Sequence, residues 1–314
     1  MPLIRLYPNG STAYNPSGVT NTSPTKRKET IGWSPHVSKR LKKWLYSIPI
    51  DSLSGQGYSF TLTVRDCPAD SETWAKIRDN FIKRLFRSGC IRLQWLTEWQ
   101  GRGVPHIHGI AYFDNEYSSG EIIRHWLQVS KEFNSVSYAQ DSKPVHSVLG
   151  WLDYLAKHAS RGYYHYQRSP DNVPDGWKKT GRVWGFRGDF LSRTPMEFQI
   201  DQAGFNQYRR IAKKLHHSKV RDRFKKVLIG LIKDEGKSIP LGMIKDIPLD
   251  RLNIVLRRFF HKSLFREYKY SKYALKSNDE NLGRIMGVSD WIDIDHSQRI
   301  VMWLGSQGYD VHQS

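Results

Sequence analysis

The segment Trp95–Phe113 (WLTEWQGRGVPHIHGIAYF) constrains the fold most, since it predicts two strands joined by a tight turn. Successive side chains of a strand point to opposite faces, so His106 and His108 share one face. A turn at Gly101–Gly103 would fold the second strand antiparallel onto the first. Glu98 would then lie opposite the two histidines.

One carboxylate and two imidazoles on a shared face form a donor set for a metal ion. This set suits a hard-to-borderline divalent ion, so we expect Mg²⁺ or Mn²⁺ bound by Glu98, His106 and His108. Positions would stay open for water or a phosphate oxygen. The alternative is a polar strand edge with two unrelated histidines, because a two-histidine pattern alone often has no function.

Charge and length limit the partners of the chain. A chain of 314 residues can form one domain with a real core plus an added module. The net charge of +19 and the pI of about 9.8 indicate nucleic acid or an anionic membrane surface as partner. No apolar run approaches the length of a membrane span, and the first residues lack a signal-peptide core, so we expect a cytoplasmic protein that does not use a membrane.

The order of predicted elements favours an α+β fold with a mostly antiparallel sheet. Residues 1–32 are rich in Pro, Gly, Ser, Thr and Asn, which predicts a flexible arm. Residues 33–200 mix strand and helix patterns and form the predicted main domain. Alternating polarity predicts a strand over Gly57–Arg65, and apolar residues at helical spacing predict helices over Pro35–Tyr46, Ser71–Ser88 and Ser119–Phe133.

A further helix is predicted over Val145–Ala159 (VHSVLGWLDYLAKHA). Tyr154 and Lys157 are three residues apart and therefore neighbours on one side of it. A phenol and an ammonium that share a surface can serve chemistry, although pairs at this spacing are also common on ordinary helices.

Three segments occur in an order that resembles a known family. FTLT (Phe60–Thr63), PHIHG (Pro105–Gly109) and YLAKH (Tyr154–His158) resemble the three motifs of the HUH endonucleases, in particular rolling-circle replication initiators of filamentous and related single-stranded DNA phages and plasmids. GRVWG (Gly181–Gly185) is also similar to a stretch in those phage initiators. The resemblance covers Trp33–Ile200, about half of the chain.

The resemblance implies a central antiparallel sheet with flanking helices, two metal-binding histidines and a tyrosine that cuts DNA. Tyr154 would attack single-stranded origin DNA and form a 5′-phosphotyrosine and a free 3′-OH, while Lys157 would add positive charge near the transition state. Two-tyrosine initiators carry a second tyrosine four residues later, where this chain has His158, so single-tyrosine chemistry is expected. Host helicase and polymerase in a bacterial cytoplasm would be the partners.

Basic segments predict the DNA contacts. Residues 201–276 contain 20 Lys and Arg against 7 Asp and Glu, which predicts a mainly α-helical, duplex-binding module over 201–314. Trp184 would stack single-stranded bases, as would Tyr163, Tyr164 and Tyr166, with ordinary packing as the alternative. The basic candidates, which could also be simply solvated, are Lys39, Arg40, Lys42 and Lys43 in the first helix and Arg209, Arg210, Lys213 and Lys214 in a helix predicted over Phe205–Phe224.

Two other functions fit the same motifs. A single-tyrosine transposase would join transposon ends to a target instead of nicking one origin. A DNA-binding repressor with a structural metal would bind DNA but would never become covalently attached to it.

Overall fold

The computed structural model describes residues 1–15, 32–145, 165–216, 218 and 288–314. The chain divides into two units, one formed by Thr20–Thr194 and the other by Met1–Val19 together with Pro195–Ser314. Each unit contains a five-stranded sheet in which neighbouring strands are antiparallel. The predicted α+β class with antiparallel strands is therefore confirmed for the described residues.

The strands and helices are numbered here in chain order. The strands are β1 (Leu3–Tyr7), β2 (Gly10–Tyr14), β3 (Gln56–Thr63), β4 (Cys90–Trp99), β5 (Pro105–Phe113), β6 (Asp141–Val145), β7 (Trp184–Gly188), β8 (Met196–Ile200), β9 (Val288–Asp290) and β10 (Val311–Gln313). The helices are α1 (Pro35–Ser47), α2 (Ser71–Arg87), α3 (Ser119–Val129), α4 (residues 202–216) and α5 (Ile294–Ser306).

In the unit Thr20–Thr194 the strand order is β6-β3-β5-β4-β7. Helices α2 and α3 cover one face of this sheet. The ring of Phe81 on α2 meets Phe60 of β3 edge-on at 5.6 Å and Trp126 of α3 at 5.4 Å, and all three side chains are buried. Burying each such ring stabilises the fold by about 1.5–3 kcal/mol. Because strand side chains alternate, Thr61 and Thr63 point to the opposite face.

Helix α2 begins and ends where its sequence provides caps. The side chain of Asp70 accepts a hydrogen bond from the backbone N–H of Thr73 at 2.7 Å, which satisfies one of the free donors of the first turn. Gly89 follows the helix with φ +92°, a conformation that glycine adopts without a steric penalty. The predicted helix Ser71–Ser88 agrees with α2 to within one residue.

The hairpin of β4 and β5 is fixed at its turn and in its middle. Gly103 in the turn has φ +71°, and the neighbouring Arg102 donates to the carbonyl oxygens of Val64 and Arg65 at 2.6 and 2.7 Å, which ties the turn to the end of β3. Within β5, a Cβ at Gly109 would lie 2.5 Å from the carbonyl oxygen of Gln94. Only glycine fits there, so the last residue of PHIHG is required by packing.

The unit of Met1–Val19 and Pro195–Ser314 has the strand order β10-β8-β1-β2-β9. Helices α4 and α5 pack their apolar sides against this sheet. The core contains fully buried side chains from both strands and helices: Ile4, Leu6, Phe205, Tyr208 and Leu304.

This second sheet differs from what the sequence predicts. Leu3–Tyr7 and Gly10–Tyr14 are strands, although they lie within the predicted flexible arm 1–32. The module predicted as mainly helical over 201–314 supplies two of the five strands, and Met196–Ile200 lies before its expected boundary. Local composition could not reveal this pairing, because β1 and β8 are far apart in sequence.

A smaller difference concerns α3, which ends at Val129 and not at Phe133 as predicted. A short 3₁₀ turn, Lys131–Phe133, follows, and Asn134 has φ 50°, which stops the helix. The predicted helix over Val145–Ala159 lies outside the described residues, apart from Val145. Within the described part of the chain, no helix is long and apolar enough to span a bilayer.

Candidate metal centre

Glu98, His106 and His108 come together on the face of the first sheet opposite α2 and α3. Glu98 of β4 pairs directly with His106 of β5, and His108 follows two residues later on the same face. One candidate ligand atom from each of the three lies within 4.8 Å of the others. Their exposed fractions are only 0%, 2% and 7%. The predicted position of Glu98 opposite the histidine pair is confirmed, and the cluster could hold a metal ion.

Thr61 of the FTLT segment orients one of the histidines. It pairs with His108 across β3 and β5, and its Oγ1 lies 2.9 Å from Nδ1 of His108. The other ring nitrogen, Nε2, lies 3.6 Å from Oε2 of Glu98. For Nε2 to offer its lone pair to a metal, Nδ1 must carry the proton and donate it to Thr61.

Arg168 is a site residue that the sequence analysis missed. Its Nε donates to Oε1 of Glu98 at 2.7 Å, and both side chains are fully buried. The guanidinium carbon also lies 3.9 Å from the centre of the Trp33 ring. A buried arginine requires a partner charge, and Glu98 supplies it. Nothing local in the sequence signals this pair, since its members are 70 residues apart.

The turn that carries Arg168 also lies beside the histidines. Tyr166–Arg168 forms a 3₁₀ turn in which Nδ1 of His165 accepts a hydrogen bond from the backbone N–H of Gln167 at 3.3 Å. The side-chain Nε2 of Gln167 lies 3.4 Å from Nε2 of His106. This turn comes directly after the segment 146–164. Tyr154 and Lys157 belong to that segment and lie outside the described residues, as do Tyr163 and Tyr164.

Comparison with known proteins gives the family. The chain is 33% identical over 306 residues to the replication-associated protein G2P of Pseudomonas phage Pf3, and the match covers 96% of this chain and 95% of that protein. The chain belongs to the G2P family of phage replication proteins.

Two bacterial relatives extend this family. A putative replication protein of Xylella fastidiosa strain Temecula1 is 37% identical over 236 residues, covering 72% of this chain and 90% of the relative. A second putative replication protein, from strain 9a5c, is 36% identical over 236 residues, covering 72% and 83%. No family model matches the chain. No solved structure matches it either.

Three of the four basic side chains predicted on the first helix are exposed. Lys39, Arg40 and Lys43 are exposed on α1, while Lys42 is half-buried with its ammonium 5.5 Å from the Tyr46 ring centre. Helix α1 contains four basic residues and no acidic one. Charge of a single sign on an exposed helix attracts phosphates.

The basic residues predicted on α4 divide into two pairs. Arg210 and Lys214 are exposed, whereas Arg209 and Lys213 are half-buried. Burial lowers the pKa of Arg209, and burial together with the charge of Arg209 lowers the pKa of Lys213. The exposed pair is therefore better placed to contact DNA.

Two aromatic candidates are also described. Trp184 is half-buried on β7, at the edge of the sheet that carries the Glu98 cluster, and Tyr166 is 59% exposed. Both present ring surface to solvent.

Proposed function

We propose that this protein initiates rolling-circle DNA replication by cutting single-stranded origin DNA and linking the 5′ phosphate to Tyr154. The observation that carries the proposal is the buried cluster of Glu98, His106 and His108 in a chain of the G2P family. An HUH-type nuclease needs such a cluster next to its tyrosine. The reaction is assigned to the domain predicted over residues 33–200.

The residues around the cluster fit a divalent ion. Two imidazoles and a carboxylate suit Mn²⁺ or Mg²⁺, and the same donors also occur in zinc sites. A bound ion would polarise a non-bridging oxygen of the scissile phosphate and hold it in place. Arg168 offsets the charge of Glu98, so the loaded site would have excess positive charge and favour an anionic phosphate.

Tyr154 is the proposed nucleophile. Its Oη forms a bond to phosphorus as the bond from phosphorus to the 3′ oxygen breaks. The phenol loses a proton, and the leaving 3′ oxygen gains one to become the 3′-OH. A phenol has a pKa near 10, so the site must take its proton or stabilise the phenolate during attack. Lys157 would supply positive charge there. The phosphodiester energy is kept in the new bond, so the reverse reaction rejoins strands without ATP.

Affinity for DNA would come from surfaces outside the metal site. The exposed basic residues of α1 and Trp184 would contact the single strand, and the basic residues of α4, in the module predicted over 201–314, would contact duplex origin DNA. Host helicase and polymerase would act on the free 3′-OH and the opened duplex, in the cytoplasm of a bacterial cell.

A covalent adduct tests the proposal. Labelled single-stranded origin DNA incubated with the full chain and Mn²⁺ should give a slower band on a denaturing gel, and mass spectrometry should find the nucleotide on Tyr154. Tyr154→Phe should bind DNA and form no adduct. Tyr166→Phe is the matched control and should form it normally, because Tyr166 is exposed in the turn beyond the proposed nucleophile's segment.

Each other outcome identifies a rival. DNA binding without any adduct would indicate a repressor with a structural metal. Adducts that join transposon ends to a target would indicate a transposase. A nucleotide found on Tyr163, Tyr164 or Tyr166 would overturn the assignment of Tyr154.

A further inference from the structure

Four aromatic rings form a cluster at the edge of the first sheet, which we call the aromatic platform. It consists of Trp44, Trp184, Phe186 and Phe190. Trp44 of α1 is at its centre, with its ring stacked on Phe186 at 4.5 Å and 13°, tilted against Trp184 at 5.9 Å, and edge-on to Phe190 at 5.3 Å. The platform joins α1 to β7.

Phe186 leaves much of its ring uncovered. One face of the ring is stacked on Trp44, yet the residue is 45% exposed. Phe190 meets the Phe186 ring edge-on at 5.8 Å, and the ring surface that remains exposed can stack one more planar group. A contiguous patch of exposed aromatic surface often marks a binding site.

The aromatic platform lies on the same sheet face as the metal centre. Leu96 of β4 pairs with His108 on one side and with Trp184 on the other, so the three form one row across β5, β4 and β7. Paired residues share a face, and adjacent strands are about 4.8 Å apart. His108 and Trp184 are therefore separated by about 10 Å of sheet. A short stretch of single strand would span from the cluster to the platform.

Charge next to the aromatic platform selects the kind of ligand. Arg40 lies four residues before Trp44, so the two share one side of α1, and Lys39 and Lys43 are exposed one turn apart on that helix. An apolar protein partner would gain nothing from these cations. A polyanion with planar groups matches both the rings and the charges.

We propose that Phe186, backed by Trp44, stacks an unpaired base of the DNA strand whose phosphate is held at the metal centre. The ligand class rests on the proposed function, while the site rests on the aromatic platform. Bases inside a duplex are already stacked on both faces, so the site would take single-stranded DNA and not duplex DNA.

The test is equilibrium binding of the full chain in EDTA, which needs neither metal nor nucleophile. Phe186→Ala should bind a single-stranded oligonucleotide roughly 5- to 150-fold more weakly than wild type, the range expected for one base–aromatic stack. Duplex binding should be unchanged. The dependence on salt should keep its slope, because no charge is removed.

Matched variants separate stacking from other effects. Phe186→Tyr keeps the ring and should bind as wild type does, and Leu191→Ala removes an apolar side chain that is 52% exposed outside the aromatic platform and should have no effect. An abasic nucleotide at the stacked position should weaken wild type but not Phe186→Ala.

Equal single-strand affinity of wild type and Phe186→Ala would overturn the proposal, as would an equal loss for single-stranded and duplex DNA. This outcome is distinct from failure of the proposed function, which is measured as a missing covalent adduct. A normal adduct with unaffected Phe186→Ala binding would reject the stacking site alone.

Discussion

Arg168 donates from its Nε to one oxygen of Glu98, Oε1, and leaves the other, Oε2, 3.6 Å from Nε2 of His108. The two oxygens of a single buried carboxylate therefore have different partners. With Oε1 engaged by Arg168, Oε2 is the oxygen that Glu98 would offer to a metal ion.

Replacing Arg168 tests the importance of this pair for the fold and for the site. Arg168→Met would leave a buried carboxylate without its partner charge, so the free energy of unfolding should fall by about 3–5 kcal/mol. Denaturant unfolding measures this loss. The double variant Arg168→Met with Glu98→Gln should recover part of it, because no unpaired charge remains. Unchanged stability of Arg168→Met would show that the pair contributes nothing.

Removing a histidine tests the metal. His106→Ala, or EDTA with wild type, should abolish adduct formation while DNA affinity stays within several-fold, because affinity comes mainly from the basic surface. Both are measured on the same labelled oligonucleotide. Full adduct formation in EDTA would reject the assignment, and calorimetric titration with Mn²⁺, Mg²⁺ and Zn²⁺ would rank the ions.

Thr61→Val tests the support behind His108. The substitution removes the hydroxyl that holds Nδ1 and keeps the branched shape, so metal affinity should fall by roughly 10- to 100-fold, as for other groups that orient a ligand. Calorimetry with Mn²⁺ gives the value. Thr12→Val, on a strand of the other unit, is the control and should bind the ion as wild type does. Equal affinity of Thr61→Val and wild type would contradict the role.

The exposed basic pair on α4 is tested by Arg210→Gln with Lys214→Gln. Duplex binding should weaken, and the slope of log K against log salt should become shallower by about 0.9 for each phosphate that the variant no longer neutralises. Point variants are preferable to deletion of residues 201–314, because that deletion would also remove β9 and β10 from the sheet of β1. An unchanged salt slope would show that α4 does not bind DNA.

His125 on α3 predicts a dependence of stability on pH. Burial lowers its pKa, and the charge of Arg124 lowers it further. Below the unfolded pKa of about 6.5, the unfolded chain takes up a proton that the folded chain resists, so stability falls as the pH decreases towards the folded pKa. The melting temperature of His125→Gln should therefore fall less between pH 7 and pH 5 than that of wild type. Parallel curves for the two proteins would contradict this.

Local patterns predicted the centre of the site but not its surroundings. The β4–β5 hairpin follows from alternation and turn glycines, and these bring Glu98 to His106. Arg168 could not be predicted, because its burial depends on Trp33 and Glu98, which come from distant parts of the chain. Of the four residues in the aromatic platform, only Trp184 was predicted to stack bases. The stack of Phe186 on Trp44 could not be predicted, because it depends on how α1 crosses β7.

The same limit applies to the second sheet. The apolar residues Leu3, Ile4 and Leu6 predict nothing specific within a segment rich in turn formers. They become a strand because Met196–Ile200 and Gly10–Tyr14 pair on either side of them. Pairing over such a distance has no signature in a local window of sequence.

The central position of β1 in its sheet has a consequence for the order in which the protein folds during translation. Arg5 of β1 and its ion-pair partner Glu197 of β8 are 192 residues apart. At roughly 5–20 residues per second, Arg5 is synthesised about 10 to 40 s before Glu197. The strands of the metal-site sheet, from β3 to β7, are all made in that interval. The half of the protein that holds Glu98, His106 and His108 can therefore begin to fold on the ribosome, while one edge of β1 still lacks its partner strand β8.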